Sequence, residues 1–449
     1  MYKNLIKIYS FVILLIISKN AQAQQSESFS FSLQQAIEYA LQHQATTKNA
    51  ALDVEIAQKK INELIGVGLP NITGSADINK FIEIPTSFVP AEFFGGQPGE
   101  YAPVQFGQPY SSSVGLSASQ LVFDGSYLVG LQASRTYAEL SKKNLEQSKI
   151  ETSANVSKAY YSVLVNRERH DLLVANVQRI KKLKDDTKAM YDNGFIEKID
   201  NDRIVLTYNN IVVEEQKVKR FLTISENLLK FQMGMDLNAN LELADKLATI
   251  KMDETLPGEE KADASRRIEY SIMQTNKRLQ ELDLKRTRFE YLPSLVAFGS
   301  VSANASRNEF DIFDTDKRWY PTAVIGAKLS VPIFDGLQKS ARIGQSKLTL
   351  QKIDNGFKSL EQGINLEVQN SRTQLLNNIE VLKTQRENKD LATEVARVSK
   401  IKYDQGVGSN LEVINAETSL KEAETNYYSS LYDVLISKID YAKATGSLK

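Results

Sequence analysis

The chain has 449 residues, with 55 Lys and Arg against 55 Asp and Glu: enough length for two or three ordinary domains, and no net field to draw it to nucleic acid or an anionic surface. It contains no cysteine, which removes disulfides, thiolate nucleophiles and Cys-based metal sites together. Its two histidines, His43 and His170, stand far apart and without a clustered carboxylate partner, so the expectation is a non-enzyme with no cofactor and no metal.

The N-terminus is the first readable element. Lys3 and Lys7 precede the apolar run FVILLII (11–17), and AQA occupies 21–23. This is the pattern of a secretory signal peptide over 1–23. A membrane helix needs about twenty apolar residues, and no comparable stretch follows, so any entry into a membrane has to be made by strands.

Residues 24–245 open with a helix and then alternate. In NITGSADIN (71–79) the odd positions are polar, while Ile72, Ala76 and Ile78 share the other face; a strand is expected at about 69–82. A segment rich in Pro, Gly and aromatics (85–110) reads as an ordered loop. SVGLSAS restores the alternation, giving a second strand at about 111–123. VFDG then leads into a helical hairpin over 126–234, with Gly194 of YDNG at its turn. No Gly or Pro interrupts residues 131–193, a continuous helix of about 95 Å. A linker is expected at 246–264.

Residues 265–449 repeat this grammar: a helix, strands at about 292–305 and 320–333, and a helical hairpin over 337–446. YDNG (191–194) returns as YDQG (403–406) at an offset of 212, Gly234 as Gly446 at the same offset, and VFDG as IFDG at 211. The reading is an internally duplicated chain. Gly344, Gly356 and Gly363 make the second copy's first long helix less clean; each costs roughly 1 kcal/mol against Ala, so local bends or small-residue packing are expected there. Gly194 and Gly406 sit where a helix stops in a left-handed conformation.

The strands carry the functional argument. Period-2 segments of about ten residues are the mark of an outer-membrane barrel, and Tyr110, Tyr291, Trp319 and Tyr320 lie where an aromatic girdle belongs. Single-chain barrels begin at about eight strands; four per chain demand an oligomer.

The duplicated layout, both FDG junctions and the ending YDQGVGSNLEVINAETSLKEAETNYYSSLYDVLISKIDYAKATGSL resemble the TolC-type outer-membrane factor family over essentially the whole mature chain. The resemblance implies an α+β membrane protein: long helical hairpins forming a coiled-coil tunnel, plus four transmembrane strands per chain in a trimeric twelve-stranded barrel. It implies an exit duct in the outer membrane of a Gram-negative bacterium, serving a tripartite efflux pump or a type I secretion system. The partners it implies are two further copies, a periplasmic adaptor, an inner-membrane pump and outer-membrane lipid, with no nucleic acid.

At the strand-to-helix junctions, Asp124 and Asp335 are expected to cap helices, Gly125 and Gly336 to permit the turn, and Phe123 and Phe334 to pack beneath it. At the hairpin turns (Tyr191, Gly194, Tyr403, Gly406, Gly408) the resemblance implies a gate. Of two positions acidic in relatives, Glu412 keeps the charge and Asn415 does not, and Asp200 and Arg203 hold the corresponding places in the first copy. Threefold symmetry would turn Glu412 into a charged ring, a route to cation preference. Some relatives carry an Arg where Gly408 stands, latched to the counterpart of Asp200; this chain keeps the acid and departs from that pattern at Gly408. The rival reading is a secreted, soluble coiled-coil scaffold or adhesin.

Overall fold

The computed structural model describes residues 29–247 and 263–448; the signal peptide and most of the expected linker lie outside them. The chain divides into two compact units, one formed by 1–53, 142–272 and 357–449, the other by 54–141 and 273–356. In chain order the elements are β1 (Phe29–Phe31), α1 (Leu33–His43), α2 (Ala45–Val67), β2 (Asn71–Lys80), β3 (Thr86–Pro90), β4 (Tyr101–Gln105), β5 (Tyr110–Phe123), α3 (Gly125–Asp192), α4 (Lys198–Met233) and β6 (Leu241–Leu243). They are followed by α5 (Ile268–Phe289), β7 (Ser294–Arg307), β8 (Tyr320–Ser330), α6 (Gln338–Asp404) and α7 (Asn410–Ala444). No helix among the described residues is long and apolar enough to cross a membrane.

The second unit holds an antiparallel sheet of order β2-β5-β7-β8. Its register sorts the side chains. Ile72 pairs with Ala118, Leu116 with Val301, Val301 with Ala323, and Gly299 with Ile325. Successive side chains point to opposite faces, so these residues form one apolar face, and Thr73, Ser117, Ser300 and Val324 stand on the other. The apolar face is bare: Ile72 is 70% exposed and Ile325 92%. On the polar face, Phe298 is an exception with a local reason, since its ring lies 2.7 Å from where a Gly326 Cβ would stand. The segment read as a loop at 85–110 contains a small hairpin, β3 against β4, with a 3-10 turn at Ala91–Phe94 between them.

In the first unit, the central core gathers α1, α3, α4, α6 and α7 around Tyr160, Val163, Leu229, Met233, Leu382 and Val434. A short parallel pair, β1 with β6, closes it. The carboxylate of Asp245 accepts from the Leu33 N–H at 2.9 Å and from the Tyr160 hydroxyl at 2.8 Å. Burial, reinforced by that carboxylate, pushes the Tyr160 phenol up. The buried Arg267 guanidinium binds Glu269 at 2.9 Å, Glu367 at 3.0 Å and the Ala444 carbonyl at 2.9 Å, tying down the end of α7.

At the α6 glycines, where bends or small-residue packing are expected, α6 runs unbroken through Gly344, Gly356 and Gly363. Three glycine costs of about 1 kcal/mol each are small beside cooperative propagation along 67 residues, and Gly356 leaves room for the Met273 methyl, 3.5 Å from where its Cβ would stand.

Candidate functional site at the hairpin turns

Both hairpins of the first unit turn on the same device. α3 ends at Asp192, and Gly194 adopts φ +78°; its N–H bonds the Tyr191 carbonyl, and that of Phe195 reaches the Met190 carbonyl. α6 ends at Asp404, and Gly406 adopts φ +73°; its N–H bonds Tyr403, and that of Val407 reaches Lys402. These paired bonds satisfy the last carbonyls of each helix and need a residue free of a Cβ penalty at positive φ. Ser409 then caps α7, accepting from the Glu412 N–H at 3.2 Å.

Beneath the turns lies a core of Leu173, Ile180 and Leu183 from α3, Ile204, Ile211 and Val218 from α4, and Val413 and Ile414 from α7, flanked by Tyr403. The α4 members recur every seven residues, as in knobs-into-holes packing. The Tyr403 hydroxyl faces the Met190 sulfur at 3.5 Å, and Tyr191 is exposed. Glu412 and Asn415, three residues apart and both exposed, share a face of α7. Asp200 pairs within its own helix with Arg203 at 3.5 Å, a surface contact of at most a few tenths of a kcal/mol.

Gly408 is packed tightly. A Cβ there would stand 2.9 Å from the Lys402 Cβ and 3.0 Å from the Tyr403 nitrogen. An arginine at this position would require the backbone to move.

Two features escaped the sequence reading. Asn410, only 6% exposed, donates its amide to the Asp200 carbonyl at 3.0 Å. Further along, the Asn176 amide donates at 3.1 Å to Glu424, and both side chains are buried; Arg179 binds Asn176 and reaches Glu417 at 3.3 Å. Burial pushes the Glu424 carboxyl up, against the pull of Asn176 and Arg179. Glu424 stands four residues after the buried Leu420 and seven before Leu431. Its place on that apolar stripe was the available signal. His170 is corrected too: its Nε2 lies 3.0 Å from Glu215, a carboxylate that α4 brings to α3 from 45 residues away. His43 stacks on Tyr39.

At the strand-to-helix junctions, Asp124 accepts from the Tyr127 N–H at 2.9 Å, and Asp335 from those of Leu337 at 3.1 Å and Lys339 at 3.0 Å. Phe123 and Phe334 do not pack beneath the turns: they are 43% and 81% exposed. A bulge between Leu121 and Phe123 turns Phe123 into the apolar row with Leu295 and Leu329.

Residues 36–204 and 265–447 match the family model described as outer membrane efflux protein. Outer membrane protein TolC of Vibrio cholerae is 18% identical over 338 residues, 75% of this chain and 77% of that one. The probable efflux pump outer membrane protein TtgC of Pseudomonas putida is 22% identical over 418 residues, 92% of this chain and 83% of its own. Among solved structures, the Campylobacter jejuni CmeC outer membrane channel superposes with a TM-score of 0.74 at 16% identity, covering 95% of this chain and 90% of CmeC. The Neisseria gonorrhoeae MtrE outer membrane channel, in its open state, gives 0.71 at 19%, covering 92% and 88%. With the model matched over most of its length, the chain belongs to the outer membrane efflux protein family and is a protein of the Gram-negative outer membrane.

Proposed function

We propose that three copies of this chain form a twelve-stranded barrel, continued by their helical hairpins into a periplasmic tunnel, and that the assembly is the exit duct of a tripartite efflux or type I secretion machine. Substrate passes without chemical change. An adaptor and an inner-membrane pump supply recognition and energy; the name of one relative, the probable efflux pump outer membrane protein TtgC, supports the pump. One observation carries this reading: a four-stranded sheet with an exposed apolar face ends in two edge strands, β2 and β8, that have no neighbouring strand among the described residues. Backbone groups left unpaired in hydrocarbon cost several kcal/mol each, so lipid exposure requires the edges to be closed by further copies. The secreted scaffold has no use for a bare apolar face of this extent.

Internal duplication belongs to the same reading. It is supported by paired glycines: a Cβ on Gly234 would stand 2.7 Å from the His43 carbonyl oxygen, and one on Gly446 2.9 Å from that of Arg266. In this assembly Glu412 forms a ring of carboxylates near the hairpin turns, while Asp200 is partly neutralised by Arg203.

The natural absence of cysteine makes the test clean. Ser75→Cys on β2, combined in turn with Thr322→Cys, Val324→Cys or Lys328→Cys on β8, should give a covalent trimer on oxidation in at least one register. Only monomer, or disulfides closed within one chain, would sink the proposal. In planar bilayers, Glu412→Gln should lower cation preference.

A further inference from the structure

We propose that the outer end of the sheet's apolar face is a binding site for the phosphorylated glycolipid of the outer leaflet, with Lys80 as the phosphate-binding residue. This rests on the reading of the sheet as a barrel segment and names the lipid that the segment takes. Lys80 pairs with Tyr110, and Tyr110 with Arg307, in one row across β2, β5 and β7. The row lies at the strand ends away from the long helices, and by alternation it shares the face of Ile72, Leu116 and Val301. The other side chains of β2, β5, β7 and β8 on that face are uncharged, so its only charges are cations, both at one end. From Leu295 to Arg307, β7 climbs about 30 Å at about 3.4 Å per residue and a tilt of about 40°, the depth of a hydrocarbon core. The cations therefore stand at head-group level, on the side that faces outward in the proposed duct.

The rim is built around Tyr110. Lys80 Nζ stands 5.5 Å from the centre of its ring, within cation–π range, and Phe310 packs on it at 5.8 Å. Phe310 in turn meets Phe313 edge-on at 6.4 Å, and these two side chains are 58% and 84% exposed. The turn between β7 and β8 thus folds back over the apolar face and presents aromatic rings where lipid begins. Arg307 is engaged, since its guanidinium and Lys317 both face Asp311. Lys80 has no carboxylate partner among the described residues, although Glu309, Asp314 and Asp316 stand in the same turn. An unpaired cation beside exposed rings suits a lipid with an anionic head group.

Four polar atoms at this rim are buried without a hydrogen-bond partner: Gln108 Oε1, Ser112 Oγ, Arg307 Nε and Asp311 Oδ1. Ser112 follows Tyr110 on the same face and is 4% exposed. Arg307 Nε and Asp311 Oδ1 are 3.6 Å apart, too long for a hydrogen bond. A head group rich in hydroxyls supplies the missing donors and acceptors once it lodges here. An acyl chain cannot.

Trp319, the chain's single tryptophan, ends the same turn, so its emission reports occupancy without a label. The full-length protein in detergent is titrated with bisphosphorylated lipid A, with its dephosphorylated form and with phosphatidylglycerol. The bisphosphorylated lipid should bind saturably, and about tenfold more tightly than either of the others. Lys80→Gln should weaken that binding by about tenfold, the loss of one charge-assisted hydrogen bond. Lys80→Arg should restore it to within about threefold of wild type, and Lys328→Gln, on the opposite face, should leave it unchanged. Equal binding of the dephosphorylated lipid, or a Lys80→Gln affinity within about twofold of wild type, would reject the phosphate site and leave the barrel standing. Equal binding of phosphatidylglycerol would reduce the rim to a general attraction for negative charge and overturn the glycolipid assignment. A wild-type protein that stays in water and takes up none of the three lipids would reject the barrel reading itself, and this site with it.

Discussion

The two Phe-Asp-Gly junctions share three letters and differ in what those letters do. At the first, Gly125 is buried and already helical. A Cβ there would meet the Leu292 methyl at 2.9 Å and the Phe289 ring at 3.0 Å, so glycine is required for the close approach of α5. At the second, a Cβ on Gly336 would meet nothing within 4 Å beyond its chain neighbours; its φ of +64° is followed by Leu337 at +67°, so glycine is required for the turn itself. Both aspartates cap, Asp124 the third N–H of its helix and Asp335 the two around a left-handed corner. A motif that occurs twice in one chain can thus be kept by packing at one place and by backbone geometry at the other.

Substitutions separate the two causes. Gly125→Val should have the largest effect, about 1–3 kcal/mol lost to overpacking, read as a lowered melting temperature of the purified protein in detergent. Gly336→Ala should cost about 1–2 kcal/mol through its left-handed backbone alone, and equal losses from Gly336→Ala and Gly336→Val would argue against any hidden packing there. Asp124→Ala should remove about 1 kcal/mol of capping. That contribution has a pH signature. Burial raises the Asp124 pKa, but bonds from the Ser126 hydroxyl and the Tyr127 and Ser126 backbone outweigh it, and the folded value lies below the ordinary 3.8. Its stabilisation is therefore present above the unfolded pKa and lost as pH falls through the lower folded one, so wild type and Asp124→Ala should converge in strong acid. The smallest effect is expected from Leu337→Gly, a gain of up to about 1 kcal/mol as a strained side chain is removed; a loss would mean that exposed Leu337 makes a contact in the assembled protein.

Periodicity made the element order legible. The alternation around Ile72, Val114, Val301 and Ile325 is a local property of the chain, and so is the glycine spacing that marks the turns. Long-range placement was not. β1 with β6 is a three-residue parallel pair drawn from segments 212 residues apart, and no local pattern announces it. The direction of Phe123 depended on a bulge that shifts the face by one residue. Asn410 carried no signal in the sequence, because its partner is a backbone carbonyl, an atom every residue carries. The glycines of α6 left bends and small-residue packing both open, because the residue that decides at Gly356, Met273, lies on another helix.

The unpaired borders of the four-stranded sheet also bear on the life of a newly made subunit. In the proposed assembly, a subunit awaiting its companions presents two adhesive rims and a greasy surface, the features that drive strands of unrelated chains to stick together. On that reading safe delivery calls for escort, with insertion coupled to encounter, so that no orphan lingers long enough to clump.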